Sequence, residues 1–178
     1  MTEAVWGDLQ RVRLVTGLPS LVTDPVFIRS IHAIAFLNTG RDVLLVENKD
    51  RTFTFPGGRI EGSETLEQAL HREVWEEARV RLFPGFTPLA VTRIEFLNRV
   101  PGKIRRVHPT FLSWVIADIA ELSDDPHHDP ADTVVGRHVV PVNAAPDLLD
   151  RLEQSVLKAA LDYCRGVESP IIPSTLPQ

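Results

Sequence analysis

Alternating and β-branched runs dominate the first two thirds of the chain. Residues 27–37 are rich in β-branched and aromatic side chains and predict a strand. Asn38-Thr39-Gly40 is turn chemistry and 43–47 is a second apolar run, so the pair predicts a hairpin. Residues 53–55 continue the sheet, and Pro56-Gly57-Gly58 breaks it. Further strands are predicted over 80–83, 89–97, 107–119 and 139–142. Pro101-Gly102 marks 99–106 as a connecting turn, and 121–133 reads as a polar loop. Helical signals occupy two segments. Residues 64–78 contain neither Gly nor Pro, and Thr65 with Gln68 three residues on forms a capping-box pattern. Over 147–165, Leu149, Leu152, Val156, Ala159 and Tyr163 fall on one stripe, with Gly166 as the C-terminal stop.

Strands outnumber helices and flank one mid-chain helix, which predicts an α+β class, an α/β/α sandwich. Residues 1–25 read as an N-terminal extension with a short strand at 12–15, residues 26–166 as the main domain, and 167–178 as a Pro-rich tail. That tail is expected to be disordered or to form an arm on a second copy, giving a homodimer. With 178 residues the chain can bury one sizeable core. A single cysteine, Cys164, excludes a disulfide framework and a Cys-rich zinc site, and reads as a packed helix residue. No apolar run reaches membrane-spanning length and no signal core precedes the first strand, so a cytoplasmic location is expected. The net charge of −5 argues against bulk nucleic-acid binding.

That charge is unevenly placed. Residues 58–80 hold six glutamates against three arginines, a net of −3. On the first helix, Leu66, Ala69 and Leu70 share a face, and Glu73, Glu76 and Glu77 continue down it. Like charges at these spacings repel, and they sit near the helix C-terminus, where the dipole disfavours anions. A hard divalent cation, Mg²⁺ or Mn²⁺, would offset both penalties. Mg²⁺ commonly shares its coordination with substrate phosphates, which points to phosphoryl chemistry. A bare Glu-x-x-Glu-Glu is otherwise a solvated acidic face.

The flanking residues decide between these readings. From Gly58 the chain reads Gly-x5-Glu64-x7-Arg72-Glu73-Val74-x-Glu76-Glu77-x-Arg79-Val80. This resembles the Nudix box, Gly-x5-Glu-x7-Arg-Glu-U-x-Glu-Glu-x-Gly-U, with U a bulky aliphatic residue. The departure is Arg79 in place of glycine, which puts the geometry of the following loop in question. The resemblance implies a Nudix fold, a mixed sheet between helices, and hydrolysis of a diphosphate linkage with the help of Mg²⁺ or Mn²⁺. It implies that Glu73 and Glu77 are the principal metal ligands, that Glu76 is a third, and that the Gly58 carbonyl contributes. Arg72 would orient the carboxylates, Glu64 would brace the loop, and Glu76 or Glu73 would be the general base. Glu73, Glu76 and Arg72 are thus the catalytic candidates.

Substrate markers known from the family point by exclusion to a nucleoside di- or triphosphate. The proline of ADP-ribose hydrolases is replaced by Glu95-Phe96, and the lone tyrosine, Tyr163, is far from the position used by dinucleoside polyphosphate hydrolases. Alternatives are a nucleotide sugar, a dinucleotide or a capped RNA, or a nucleotide-sensing module without catalysis. Arg51 is a candidate phosphate contact upstream of the box. Asp129 or Asp132 is a candidate further acid. His127-His128 read as polar loop, and Arg99, Lys103, Arg105 and Arg106 as a basic hairpin tip or a steering patch. Phe36, Phe53, Phe96 and Trp75 read as core.

Overall fold

The computed structural model describes residues 2–6, 10–98, 110–126 and 129–166. The antiparallel pair β1 (Thr2–Trp6) and β2 (Gln10–Gly17) comes first. Strands β3 (Ile28–Leu37), β4 (Asp42–Asn48), β5 (Phe53–Thr54) and β6 (Gly57–Arg59) lead into α1 (Leu66–Ala78). Then come β7 (Val80–Leu82), β8 (Thr87–Phe96), β9 (Thr110–Leu122), β10 (Val134–Pro141) and α2 (Arg151–Cys164). The sheet runs β1-β2-β8-β9-β3-β4-β10, with β5 on β4, β6 on β3 and β7 on β9. The β3–β9 pair is parallel and the neighbouring pairs are antiparallel, so the sheet is mixed.

Period-two alternation assigns the two cores. In β3, Ile31, Ala33 and Ala35 face α1, whereas Ile34 and Phe36 face α2. Strand β9 lies in the middle of the sheet and is buried from Thr110 to Ala117, which accounts for its unbroken apolar run. One helix covers each face, the expected α/β/α layering. Among the described residues no helix is long and apolar enough to cross a membrane.

The structure differs from the sequence reading at several elements. Gly57–Arg59 does not break the sheet. It pairs antiparallel with Ser30–His32, because glycines let its backbone lie flat against β3. Residues 10–17 are no appendage, since β2 pairs with β8 and its Val12 is 1% exposed. Strand β9 extends to Leu122 because β7 pairs with its far end. The last helix starts at Arg151, capped by Asp150, after a separate turn at Ala145–Asp147. Its buried stripe runs through Val156, Leu157 and Ala160, leaving Tyr163 56% exposed and Cys164 exposed. The 99–106 turn and the 167–178 tail, with its dimer arm, lie outside the described residues.

Helix α1 starts as its sequence predicts. Thr65 Oγ1 accepts from Gln68 N at 3.2 Å, and Gln68 Oε1 accepts from Thr65 N at 2.9 Å. Removing a cap of this kind costs about 1 kcal/mol. Thr65→Ala is therefore expected to lower the unfolding free energy by about 1 kcal/mol, read from the urea midpoint at unchanged slope.

Candidate active site

Helix α1 packs Ala69, Leu70, Val74 and Ala78 into the core, so its apolar stripe continues to the C-terminus. The predicted switch from apolar to acidic does not occur on that stripe. Glu73 and Glu77 run alongside it and face β6, while Glu76 lies one step further out. Their approach depends on two glycines. At Gly57, φ is 147° and a Cβ would strike the Ile31 carbonyl and the His32 backbone. At Gly58, a Cβ would fall 2.5 Å from the Glu73 carboxylate.

Arg72 organises the outer side. Its Nε and Nη2 donate to the two oxygens of Glu64 at 2.7 and 3.0 Å, a bidentate pair. Nη1 donates to Glu73 Oε1 at 3.0 Å and to Glu76 Oε2 at 3.1 Å, and Nη2 also reaches the Arg59 carbonyl at 2.8 Å. Hydrogen bonds from Arg72 and then from the Glu61 N–H pull Glu64 down to about 2. Glu64 and Glu73 in turn hold the guanidinium well above its ordinary range.

Glu77 has weaker support. Its Oε2 accepts one hydrogen bond, from Gly57 N at 2.9 Å. Burial, with the charges of Glu73, Asp129 and Glu76, pushes it up to about 8 against that bond. Burial also raises Glu73, with Arg72 opposing. Half-buried carboxylates in this state favour a counter-cation. The donors are hard oxygens, which fits a divalent ion of the Mg²⁺ type. Arg72 Nη1 now lies between Glu73 and Glu76, and among the described residues no three acidic, His or Cys side chains converge on one point as they stand.

Beside Glu77 opens a cleft of about 420 Å³, within the range of small-molecule sites. Val12 and Leu14 of β2 and Ile94 of β8 form apolar wall, and Trp114 of β9 lies among them. Trp114 Nε1 is satisfied by Thr92 Oγ1 at 2.9 Å, and its ring meets His32 at 5.2 Å between centroids. Burial lowers His32 to about 4, so it is neutral. Glu153 of α2 also lines the cleft and is 6% exposed. Its Oε1 accepts from Phe55 N at 3.0 Å. Burial pushes Glu153 up to about 8, and the negative charge of Asp150 adds to this.

The NUDIX domain profile matches residues 27–161, most of the chain. The chain belongs to the Nudix family. It is similar to YtkD of Bacillus subtilis, which carries the name 8-oxo-dGTP diphosphatase, at 41% identity over 51 residues. That match covers 29% of this chain and 32% of YtkD, so the chain spans about a third of the length of the curated relative it matches. Its fold is similar to the crystal structure of a Bacillus subtilis pyrophosphohydrolase, BsRppH, with TM-score 0.61 and 20% identity, covering 92% of this chain and 98% of that one. A NUDIX hydrolase from Nitrosomonas europaea aligns with TM-score 0.53 and 19% identity, covering 78% and 88%. Nudix domains generally use a divalent metal, and the oxygen donors on α1 fit one.

The departure within the Nudix box is accommodated. Arg79 adopts the left-handed conformation that glycine favours, with φ 54° and ψ 42°. Its Nε donates to the Pro126 carbonyl at 3.0 Å, and its guanidinium lies 5.2 Å from the Trp75 ring. Arg81 covers the same ring at 4.3 Å. Trp75 is half-buried beneath two cations, so it is not a core residue. Arg137 is a structural residue that the sequence did not signal. Its Nη1 donates to the carbonyls of Ala78, Arg79 and Ser123 at 3.0, 3.0 and 2.7 Å, closing the end of α1.

Other candidates do not line the cleft. Arg51, at φ 69°, donates to Glu47 Oε1 at 3.0 Å and is 85% exposed. Asp129 binds its own loop, accepting from the backbone N–H of Ala131, Thr133 and Val134. It is near enough to Glu77 to raise it. Asp132 pairs with Lys49 at the surface. Phe36 is core, and Phe53 packs edge-on against His138. His127-His128 and the basic cluster from Arg99 to Arg106 lie outside the described residues. Glu153 and His32 were missed. The signal for Glu153 was present, an acid in the buried register of an amphipathic helix.

Glu153 makes stability depend on pH. Its carboxyl is raised from 4.5 to about 8 on folding, so the native state binds the extra proton between those values. This contribution is complete below pH 4.5 and is lost as pH rises through about 8. Wild type should lose stability relative to Glu153→Gln over that window, measured by urea unfolding at a series of pH values. Gly57→Ala is expected to cost about 2 kcal/mol in the same measurement, because its Cβ meets backbone. Gly58→Ala should cost less, because the group it meets is the movable end of Glu73.

Proposed function

We propose that the chain hydrolyses a diphosphate linkage in a nucleoside di- or triphosphate or a related nucleotide derivative, using Mg²⁺ or Mn²⁺. The observation that carries this reading is the position of Glu77, which belongs both to the acidic edge of α1 and to the lining of the cleft. A phosphate chain at the box would thereby lie next to a pocket of nucleoside size. The names of the similar proteins, a pyrophosphohydrolase and an 8-oxo-dGTP diphosphatase, support the same class of reaction.

On this reading Glu73 and Glu77 hold the divalent ion, with Glu76 as a third ligand and the Gly58 carbonyl beside them. The ion supplies charge neutralisation at the diphosphate and a lowered pKa for the attacking water. Arg72 fixes the rotamers of Glu73 and Glu76 through its Nη1 and anchors them to Glu64. Glu76 or Glu73 takes the proton from water. The apolar walls and Trp114 hold the nucleoside end. The functional unit is 26–166 together with β2, which supplies Val12 and Leu14 to the cleft.

A panel of diphosphate compounds with Mg²⁺ in heavy-oxygen water, read by phosphorus NMR, tests this directly. Nucleoside di- or triphosphates should turn over, and the label should mark the attacked phosphorus. Glu77→Gln should lower kcat by about a hundredfold or more while the fold persists, and full activity in that variant would sink the assignment. Gly58→Ala, by displacing Glu73, should weaken Mn²⁺ binding in a titration followed by electron paramagnetic resonance.

A further inference from the structure

The segment Phe55–Gly57 forms the seam between the cleft and the Nudix box. Pro56 has no N–H, so the donors of this segment are Phe55 N and Gly57 N. Each is accepted by a carboxyl oxygen from a different helix, buried in Glu153 and half-buried in Glu77. Glu153 of α2 takes the first at 3.0 Å, and Glu77 of α1 takes the second at 2.9 Å. The carbonyls are held from the sheet. Pro56 O accepts from Ala33 N at 2.9 Å, and Phe55 O faces His32 Nδ1 at 3.5 Å. Phe55 is 1% exposed, with its ring edge-on to Trp114. Its N–H has no access to water, so loss of the Glu153 oxygen would leave it unpaired and favour displacement of the segment.

We propose that Glu153 is a positioning residue for the box carboxylates, acting through the Phe55–Gly57 backbone. Glu153 fixes one end of a short segment. The other end fixes Glu77, and the next residue, Gly58, leaves the space that the Glu73 carboxylate fills. A shift of Phe55 is passed to Gly57 and Gly58 across a single proline. Metal-site partners of this outer kind change affinity by about ten- to a hundredfold when removed. The inference rests on the divalent-ion reading of the box given above.

The test is Mn²⁺ binding to the full chain without substrate, followed by electron paramagnetic resonance. Three variants are compared with wild type at one pH. Glu153→Leu removes the acceptor and should weaken Mn²⁺ about tenfold or more. Glu153→Gln keeps an acceptor for Phe55 N and should stay within about threefold of wild type. Leu157→Ala removes buried volume from the same helix and leaves the Glu153 acceptor in place, and should lower thermal stability with Mn²⁺ affinity unchanged. Three results would overturn the proposal: wild-type affinity in Glu153→Leu, equal losses in the Leu and Gln variants, or an equal loss in Leu157→Ala. Failure of the wild-type chain to bind Mn²⁺ would strike the divalent-ion reading itself, and this inference with it.

Discussion

The close approach of α1 to β6 is the constraint on which the site depends. Two consecutive glycines make this possible: at Gly57 the missing Cβ lets β6 lie against β3, and at Gly58 the missing Cβ leaves room for the Glu73 carboxylate of the helix. Carboxylates that would point to water on an ordinary surface helix are instead drawn against backbone. Burial then does what charge alone would not. It raises Glu77 and Glu73 and leaves them short of positive charge, even though Arg72 lies next in sequence to Glu73. The acidity of residues 58–80 is therefore a property of packing as much as of composition.

Arg72 makes that packing tolerable. It engages Glu64, Glu73 and Glu76 and the Arg59 carbonyl, so one guanidinium ties the loop before α1 to the face that follows. A lysine, with a single ammonium, could not present this planar fork to a bidentate partner and two further carboxylates. Glu77 lies beyond its reach and depends on Gly57 N. The unequal support leaves Glu77 as the carboxylate with most to gain from a divalent ion.

Most of the fold was legible because its signals are local. The capping box of Thr65 and Gln68, the turn at 38–40 and the apolar run of β9 each follow from neighbours in sequence. The box was legible because its spacing is helical. Elements fixed by distant partners were not. Gly57–Arg59 reads as a break until β3 lies beside it, and β2 reads as an extension until it meets β8. Arg137 closes α1 from 58 residues away, by a contact with no periodic signature. Trp75 was misread because two arginines shield a ring that apolar packing was expected to cover. Glu153 was overlooked because helix periodicity marks where a residue lies, whereas its role depends on a backbone N–H 98 positions earlier.

Arg79 shows how such distant contacts can replace a local rule. The left-handed turn after α1 costs a side-chain-bearing residue about 1 kcal/mol relative to glycine. Here the residue that incurs the strain also makes contacts glycine cannot, to the Pro126 carbonyl and the Trp75 ring. Its own carbonyl accepts from Ser123 N and from Arg137, so the turn is held from both sides. These contacts act against the strain. The conformation that the family reaches with glycine is thus kept in this chain by interactions with the loop that also carries Asp129. Because Asp129 raises Glu77, the same loop both anchors the end of α1 and adds to the field around its last carboxylate.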